Sequence, residues 1–363
     1  MTTSARAMVF HGPNQPLEPR EFGLPTLKAG ELLVKISMTT LCGSDVHTFH
    51  GHRETPCPTI LGHEILGTVA ALPNGEHVTD ASNQRLSIGD RVTWSLAVHC
   101  GDCFFCRLDL PQKCEHLLKY GHESVQPDHA LSGGLAEYCQ LAAGTTVFRV
   151  PDRLDDRVAC PANCATATVV AALRAAGECR DTTILIQGGG MLGLTAAAIA
   201  RTRSAREVIV CDVDEDRLRR AKQFGATRTV RADTDDGTFQ DVVKQSTAGR
   251  GVDIVLEMCG SADAVETGIN VLRTGGRYIW VGAVFPTRPV SLSAERVVRN
   301  MLRIQGVHNY TPADLGDALT FLEHHHEEFP FAELVSKSYG LDQADAAFQE
   351  AASSGALRVG ICP

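Results

Sequence analysis

The sequence predicts an α/β protein in which a mainly-β domain with a compact cysteine lobe precedes a doubly wound parallel sheet. Three observations carry this expectation. Beyond residue 151, apolar strands alternate with Ala-rich helical stretches; a G-x-G-x-x-G run follows one of those strands directly; and four of the thirteen cysteines fall between 100 and 114. Strand and helix in alternation mean βαβ units.

With 363 residues the chain is long enough for two domains and a well-buried core. The net charge of −9 supplies no basic face for a phosphate backbone, which argues against a nucleic-acid partner. No apolar run reaches the ~18 residues that would suggest a membrane span. The opening M-T-T-S-A-R-A-M-V-F lacks a basic-then-apolar layout. The expectation is a soluble, cytoplasmic protein without a membrane partner.

In chain order, the first ~150 residues are rich in Gly, Pro and His and hold short strands at 31–38 (E-L-L-V-K-I-S-M) and 90–96 (D-R-V-T-W-S-L). Strands follow at 182–187, 207–212, 253–258 and 277–282, with helices at 191–203, 215–224 and 262–272. The last ~60 residues return to mixed texture and end in A-L-R-V-G-I-C-P, which reads as a closing strand.

Strand 182–187 runs straight into Gly188-Gly189-Gly190-Met191-Leu192-Gly193 and a helix, the context a Rossmann dinucleotide site requires. Gly188 permits the tight turn, Gly190 lets the backbone approach a pyrophosphate, and Gly193 lets helix and strand pack closely. The helix N-terminus offers free N–H groups to the phosphates. The second strand ends 19 residues after Gly193 at Asp212, whose carboxylate suits ribose hydroxyls and repels a 2′-phosphate. NAD is therefore expected over NADP, although Arg206 and Arg217 flank the pocket.

Residues 100–114 read C-G-D-C-F-F-C-R-L-D-L-P-Q-K-C. Cys100, Cys103, Cys106 and Cys114 can close a tetrahedral zinc site that leaves no open position, so this metal would be structural.

Further upstream stand Cys42-Gly43-Ser44-Asp45-Val46-His47 and Gly62-His63-Glu64-Ile65-Leu66-Gly67. Each is weak alone. In order with the cysteine lobe, G-G-L-A-E-Y (133–138) and the glycine loop, they resemble the zinc-dependent medium-chain alcohol dehydrogenases over essentially the whole chain. The resemblance implies a GroES-like catalytic domain at 1–153 with its zinc lobe at 97–116, a Rossmann domain at 154–305, and a return to the catalytic domain at 306–363. It implies reversible oxidation of a small-molecule alcohol through an alkoxide on zinc and hydride transfer to the nicotinamide. The catalytic zinc would have Cys42 and His63 as ligands and Glu64 as a ligand or one that water exchanges. Ser44 would take the alcohol proton and His47 would pass it on. Thr168, Gly260, Val281 and Ala283 would lie along the nicotinamide half of the cofactor. Relatives form homodimers or homotetramers.

The stretch C-P-A-N-C at 160–164 is the family's fourth-ligand region, and it reads as the start of an Ala-rich helix. Alcohol-dehydrogenase-like members place a cysteine where Cys164 stands. Polyol- and threonine-dehydrogenase-like members place a glutamate where Cys160 precedes Pro161. Cys164 is the expected ligand, with Cys160 as the alternative.

The substrate expectation is a polar secondary alcohol: a polyol, a cyclitol, or a phospho- or phosphono-alcohol. Leu96 corresponds to a pocket-lining position, the loop His50-Gly51-His52-Arg53 is expected to face the site, and L-K-Y-G-H-E (118–123) adds Lys119 and His122. L-P-Q-K-C, K-Y-G-H-E, P-A-N-C-A-T-A-T and G-V-H-N-Y resemble phosphonate-catabolism-associated alcohol dehydrogenases and cyclitol dehydrogenases. Competing readings are a carbonyl reductase or simple alcohol dehydrogenase of the same family, and a non-catalytic, zinc-stabilised nucleotide-binding protein. The His324-His325-His326 run points in different directions on a helix and reads as a solvated face, not a chelate. Cys57, Cys139, Cys179, Cys211, Cys259 and Cys362 read as isolated thiols.

Overall fold

The computed structural model describes residues 3–75, 77–233, 237–353 and 355–363; Met1, Thr2, Glu76, Thr234, Asp235, Asp236 and Ser354 lie outside the description. The chain divides into two compact units. One holds the chain up to Cys164 with Thr311–Glu327 and Phe331–Pro363, and the other holds Ala165–Tyr310 with Glu328–Pro330.

The first unit is built on a sheet with Leu32–Thr40 at its centre. The order runs Val335–Gly340, Arg358–Cys362, Leu32–Thr40, Glu64–Ala71, Arg91–Trp94, Val147–Arg149, and Tyr138–Leu141 also pairs with Leu32–Thr40. All these pairs are antiparallel except Val335–Gly340 with Arg358–Cys362. Leu32–Thr40 is buried along almost its whole length, which explains a run too apolar to alternate cleanly. Its core neighbours include Ile65, Trp94, Tyr120, Phe348 and Ile361. Close backbone approach sets the glycines of G-G-L-A-E-Y: a Cβ on Gly133 would lie 1.9 Å from the Ile60 carbonyl oxygen.

The short helix Gly43–Phe49 begins where the Asp45 carboxylate accepts the Cys42 N–H at 3.0 Å. Its far end is pinned by Phe49, stacked on Phe348 of the Ala344–Ser353 helix with ring centroids 4.3 Å apart. One aromatic pair therefore locks the helix that carries Cys42, Ser44 and His47.

The second unit is a six-stranded parallel sheet in the order Arg228–Arg231, Glu207–Asp212, Thr183–Gln187, Val252–Glu257, Leu272–Trp280, Arg303–Gly306. The order reverses between Thr183–Gln187 and Val252–Glu257, the switch point at which doubly wound sheets bind ligands. Every residue of Thr183–Gln187 is buried, as a strand covered on both faces requires. The helices Met191–Thr202, Glu215–Gln223 and Ala262–Val271 fall where the periodicity predicts them. The elements Arg228–Arg231, Thr238–Thr247 and Arg303–Gly306 were not expected. Among the described residues no single helix is long and apolar enough to cross a membrane.

Replacing Phe348 by Ala should cost about 3–5 kcal/mol, the usual range for emptying an aromatic core site. A denaturant midpoint that falls while the m-value stays constant would register it.

Candidate active site

Ligand atoms of Cys42, His63, Glu64 and Cys164 lie within 4.8 Å of one another. Two thiols, an imidazole and a carboxylate form a donor set suited to zinc. Cys42 caps the Gly43–Phe49 helix, His63 directly precedes and Glu64 opens the strand Glu64–Ala71, and Cys164 ends the C-P-A-N-C turn.

Each donor is aimed by a neighbour. The His63 Nδ1 lies 3.0 Å from Asp45 Oδ1, which leaves Nε2 to the cluster. Burial opposes charge on His63, but the Asp45 carboxylate outweighs it and lifts the imidazole to about 10. A hydrogen bond from Cys164, with help from the Arg358 and His63 charges, pulls the Cys42 thiol well below its ordinary range. The same bond, together with burial, pushes Cys164 up.

Glu64 is fully buried, and Arg358 holds it as a fork: Nε to Oε2 and Nη2 to Oε1, both 2.8 Å. Thr40 adds its hydroxyl to Oε2 at 2.5 Å. Arg358 Nη2 also sits 3.5 Å from the Cys42 Sγ. Three donors thus occupy Glu64, two on Oε2 and one on Oε1, so it faces the cluster as a carboxylate already paired to Arg358.

The C-P-A-N-C stretch is not the start of one α-helix. Cys160–Asn163 form a 3₁₀ turn, Cys164 has φ −135° and ψ −73°, and the α-helix begins at Ala165. Pro161 lacks the N–H that would continue an α-helical ladder. The break separates the two thiols. Cys164 joins the cluster, while Cys160 lies against the carbonyls of Met38 (3.4 Å) and Glu64 (3.3 Å) and the Thr40 hydroxyl (3.6 Å). Asn163, between them, donates to the His63 and Trp94 carbonyls at 3.2 Å and ties the turn to the sheet.

Cys100, Cys103, Cys106 and Cys114 form a second cluster. Main-chain N–H groups point at the sulfurs: Cys100 and His116 donate to Cys114 at 3.3 Å, and Glu115 donates to Cys103 at 3.5 Å. The Glu115 and Cys106 N–H groups pull the Cys103 thiol down to about 6. Burial, by contrast, pushes the Cys106 thiol up.

In the other unit, Gly188 has φ +103° and donates its N–H to the Cys211 carbonyl at 2.8 Å. Gly190 is the N-cap of the Met191–Thr202 helix, and a Cβ on Gly193 would fall 1.8 Å from the Gly188 carbonyl oxygen. Asp212 ends its strand with Oδ2 2.6 Å from the Gly189 N and Oδ1 2.9 Å from the Asp214 N. Gly260, at φ +75°, packs on Gly282, and Val281 donates to the Glu257 carbonyl at 3.0 Å. Thr168 is half-buried on the Ala165–Ala176 helix.

Ser44 and His47 are half-buried on the helix that Cys42 caps. Burial, then the nearby His52, lowers the His47 imidazole, so it is neutral at pH 7. Leu96 is buried, and its carbonyl accepts the Tyr120 N–H at 3.0 Å, next to Lys119. His122 lies beside His63, with ring centroids 5.2 Å apart. Of the histidine run, His324 and His326 donate to the carbonyls of Thr320 and Leu322 one turn back.

The sequence reading missed Arg358, Asp45 as the His63 partner, and Glu257. The Glu257 carboxylate accepts N–H groups from Cys259 (2.7 Å), Gly260, Gly282 (3.1 Å) and Ala283 (3.1 Å), joining the ends of two strands at the cofactor side. Their only trace in sequence is a charge at the edge of an apolar run. Replacing Arg358 by Met strands the Glu64 charge and should cost about 3–5 kcal/mol in unfolding free energy. Adding Glu64→Gln should recover most of that loss.

Residues 28–152 match the family model described as alcohol dehydrogenase GroES-like domain, and residues 192–324 match that of zinc-binding dehydrogenase. A sorbitol dehydrogenase from Halalkalibacterium halodurans is 29% identical across 93% of each chain. An L-threonine 3-dehydrogenase from Bacillus velezensis is 31% identical, covering 79% of this chain and 79% of its own. The crystal structure of an alcohol dehydrogenase from Thermotoga maritima superposes with a TM-score of 0.95 at 30% identity, covering both chains in full. Whole-length similarity of this kind, over a thiol-rich donor cluster and a dinucleotide loop, places the chain among the zinc-dependent medium-chain alcohol dehydrogenases, enzymes that act on CH–OH groups of small molecules with a nicotinamide cofactor.

Proposed function

We propose that this enzyme oxidises a polar secondary alcohol with NAD, at a zinc held by Cys42, His63 and Cys164 with Glu64 as an exchangeable neighbour. The observation that carries the reading is the convergence of those four side chains within 4.8 Å, with Asp45 orienting the imidazole. A zinc ion with one open position supplies Lewis acidity to an alcohol oxygen. Around it the chain's own groups handle the proton. The Ser44 hydroxyl accepts it from the alcohol, and the neutral His47 imidazole, three residues further along the same helix, relays it outward. The Cys100–Cys114 cage, with four sulfurs, would hold a second, structural zinc.

The loops that Glu257 ties together, with Gly260, Val281, Ala283 and Thr168, would hold the nicotinamide end of NAD. At the other end, Asp212 would take the adenosine ribose hydroxyls. The polyol and amino-alcohol relatives named above support a substrate with several polar groups. None of the thirteen cysteines is joined in a disulfide, which supports a reducing cytoplasm. The outer edge of Arg303–Gly306 is unpaired among the described residues, and Val298 and Met301 are exposed, which supports a homodimer or homotetramer.

Metal analysis tests the assignment. The protein should carry two zincs per chain, and Cys164→Ser should retain one and lose NAD reduction. Cys160→Ser should retain both. One zinc in the parent protein would leave only the cysteine cage occupied and favour a binding protein. Asp212→Asn keeps an oxygen for the Gly189 N–H but removes the charge. It should shift kcat/KM toward NADP over NAD by about tenfold or more, the equivalent of 1.4 kcal/mol.

A further inference from the structure

The loop after the cysteine lobe is laid directly on the metal ligands. Leu118–Lys119 pairs with Ala97–Val98, and the chain then turns at Gly121, which has φ +74°. A Cβ on Gly121 would meet the Gly62 carbonyl oxygen at 2.4 Å and the His63 Cβ at 3.1 Å. His122, next to this contact, is therefore held beside His63 by main-chain packing, and its N–H donates to the Lys119 carbonyl at 3.1 Å across the turn.

A third residue joins them from the loop after the Gly43–Phe49 helix. His122 Nδ1 donates to the Tyr120 carbonyl at 2.9 Å, so its Nε2 is the acceptor for Arg53 Nη1 at 2.8 Å. That tautomer follows from the two partners. The imidazole is thus a neutral bracket that aims the guanidinium. Lys119 and Arg53 are both half-buried. Burial and the Arg53 charge together pull the Lys119 ammonium down to about 8, a sign of two cations sharing one poorly solvated place.

Among the described residues, neither cation has a carboxylate ion pair. Other half-buried arginines do: Arg91 pairs with Asp156, and Arg149 with Asp80 and Asp90. Of the acids around Lys119 and Arg53, Asp45 is committed to His63 and to the Cys42 N–H, and the Glu123 carboxylate accepts the Lys119 main-chain N–H at 2.8 Å. Holding two like charges together without a counter-ion is unfavourable, and an anion arriving between them removes the penalty.

We infer that Lys119 and the His122-oriented Arg53 bind an anionic group of the substrate, a phosphoryl or phosphonyl dianion carried a few atoms from the alcohol carbon. The assignment rests on the proposed reading of the Cys42–His63–Cys164 cluster as the place where the alcohol reacts. A guanidinium fork beside a point-charge ammonium matches several oxygens of one tetrahedral group. A carboxylate would neutralise only one of the two charges.

Calorimetry with methylphosphonate on the zinc-loaded enzyme in the presence of NAD tests the site without turnover. Lys119→Met and Arg53→Met should each weaken binding by about tenfold or more, and the double variant by more than either. Metal content of two zincs per chain checks that the variants are intact. In turnover, losses in kcat/KM for 2-hydroxypropylphosphonate should exceed those for neutral 2-butanol by at least about tenfold. Methylphosphonate affinity unchanged in the double variant would overturn the inference, as would equal losses on both alcohols. Acetate binding as tightly as methylphosphonate would overturn the assignment to a dianion. A parent enzyme that reduces NAD with neither alcohol sinks the dehydrogenase reading instead, while the calorimetry still decides the anion site.

Discussion

The buried fork between Arg358 and Glu64 is the constraint on which the first unit depends. Two charges removed from water are stable only when each satisfies the other's hydrogen bonds, and here both carboxylate oxygens meet the guanidinium at 2.8 Å. The pair joins residues 294 apart in sequence. It therefore fixes the Arg358–Cys362 strand against Leu32–Thr40 and Glu64–Ala71, and sets the angle at which Glu64 faces Cys42. Alter the fork and the strand register, the thiolate and the carboxylate all move together.

Elsewhere the same economy recurs in another form. Asp45, Asp212 and Glu257 spend their negative charge largely on main-chain N–H groups. Asp45 gathers the Cys42 N–H and His63, Asp212 the Gly189 and Asp214 N–H groups, and Glu257 four N–H groups from two loops. A carboxylate in such a nest holds a loop without needing a bulky cation near the place a ligand must enter. The segments that must be shaped most closely, around the metal and the nucleotide, are shaped by anions in this way.

Much of this was legible in the linear sequence because it is local. The glycine loop, the cysteine lobe and the strand–helix alternation each occupy a short window with its own spacing. Cys42, His63, Glu64 and Cys164 came together through an ordered series of motifs, and the structure puts them in one cluster. What escaped was non-local or short. Arg358 is one charge in an apolar tail whose partner is hundreds of residues away. Arg53 was read only as part of a cleft-facing loop, because nothing in sequence ties it to His122. Arg228–Arg231 is flanked by arginines that mask its strand pattern, and the helix reading of C-P-A-N-C ignored what Pro161 does to a ladder.

The chain order of the first unit carries a consequence for biosynthesis. The ribosome makes Cys42, His63 and Glu64 early, but the strand that brings Arg358 between Val335–Gly340 and Leu32–Thr40 emerges only after a further 294 residues have followed Glu64. Until then the end of the central strand at Thr39 and Thr40 has one open edge and Glu64 lacks the Arg358 counter-charge. The nascent domain is therefore a stage that needs shielding from stray pairing, and its metal pocket is completed only once Arg358 has followed the whole of the second unit off the ribosome.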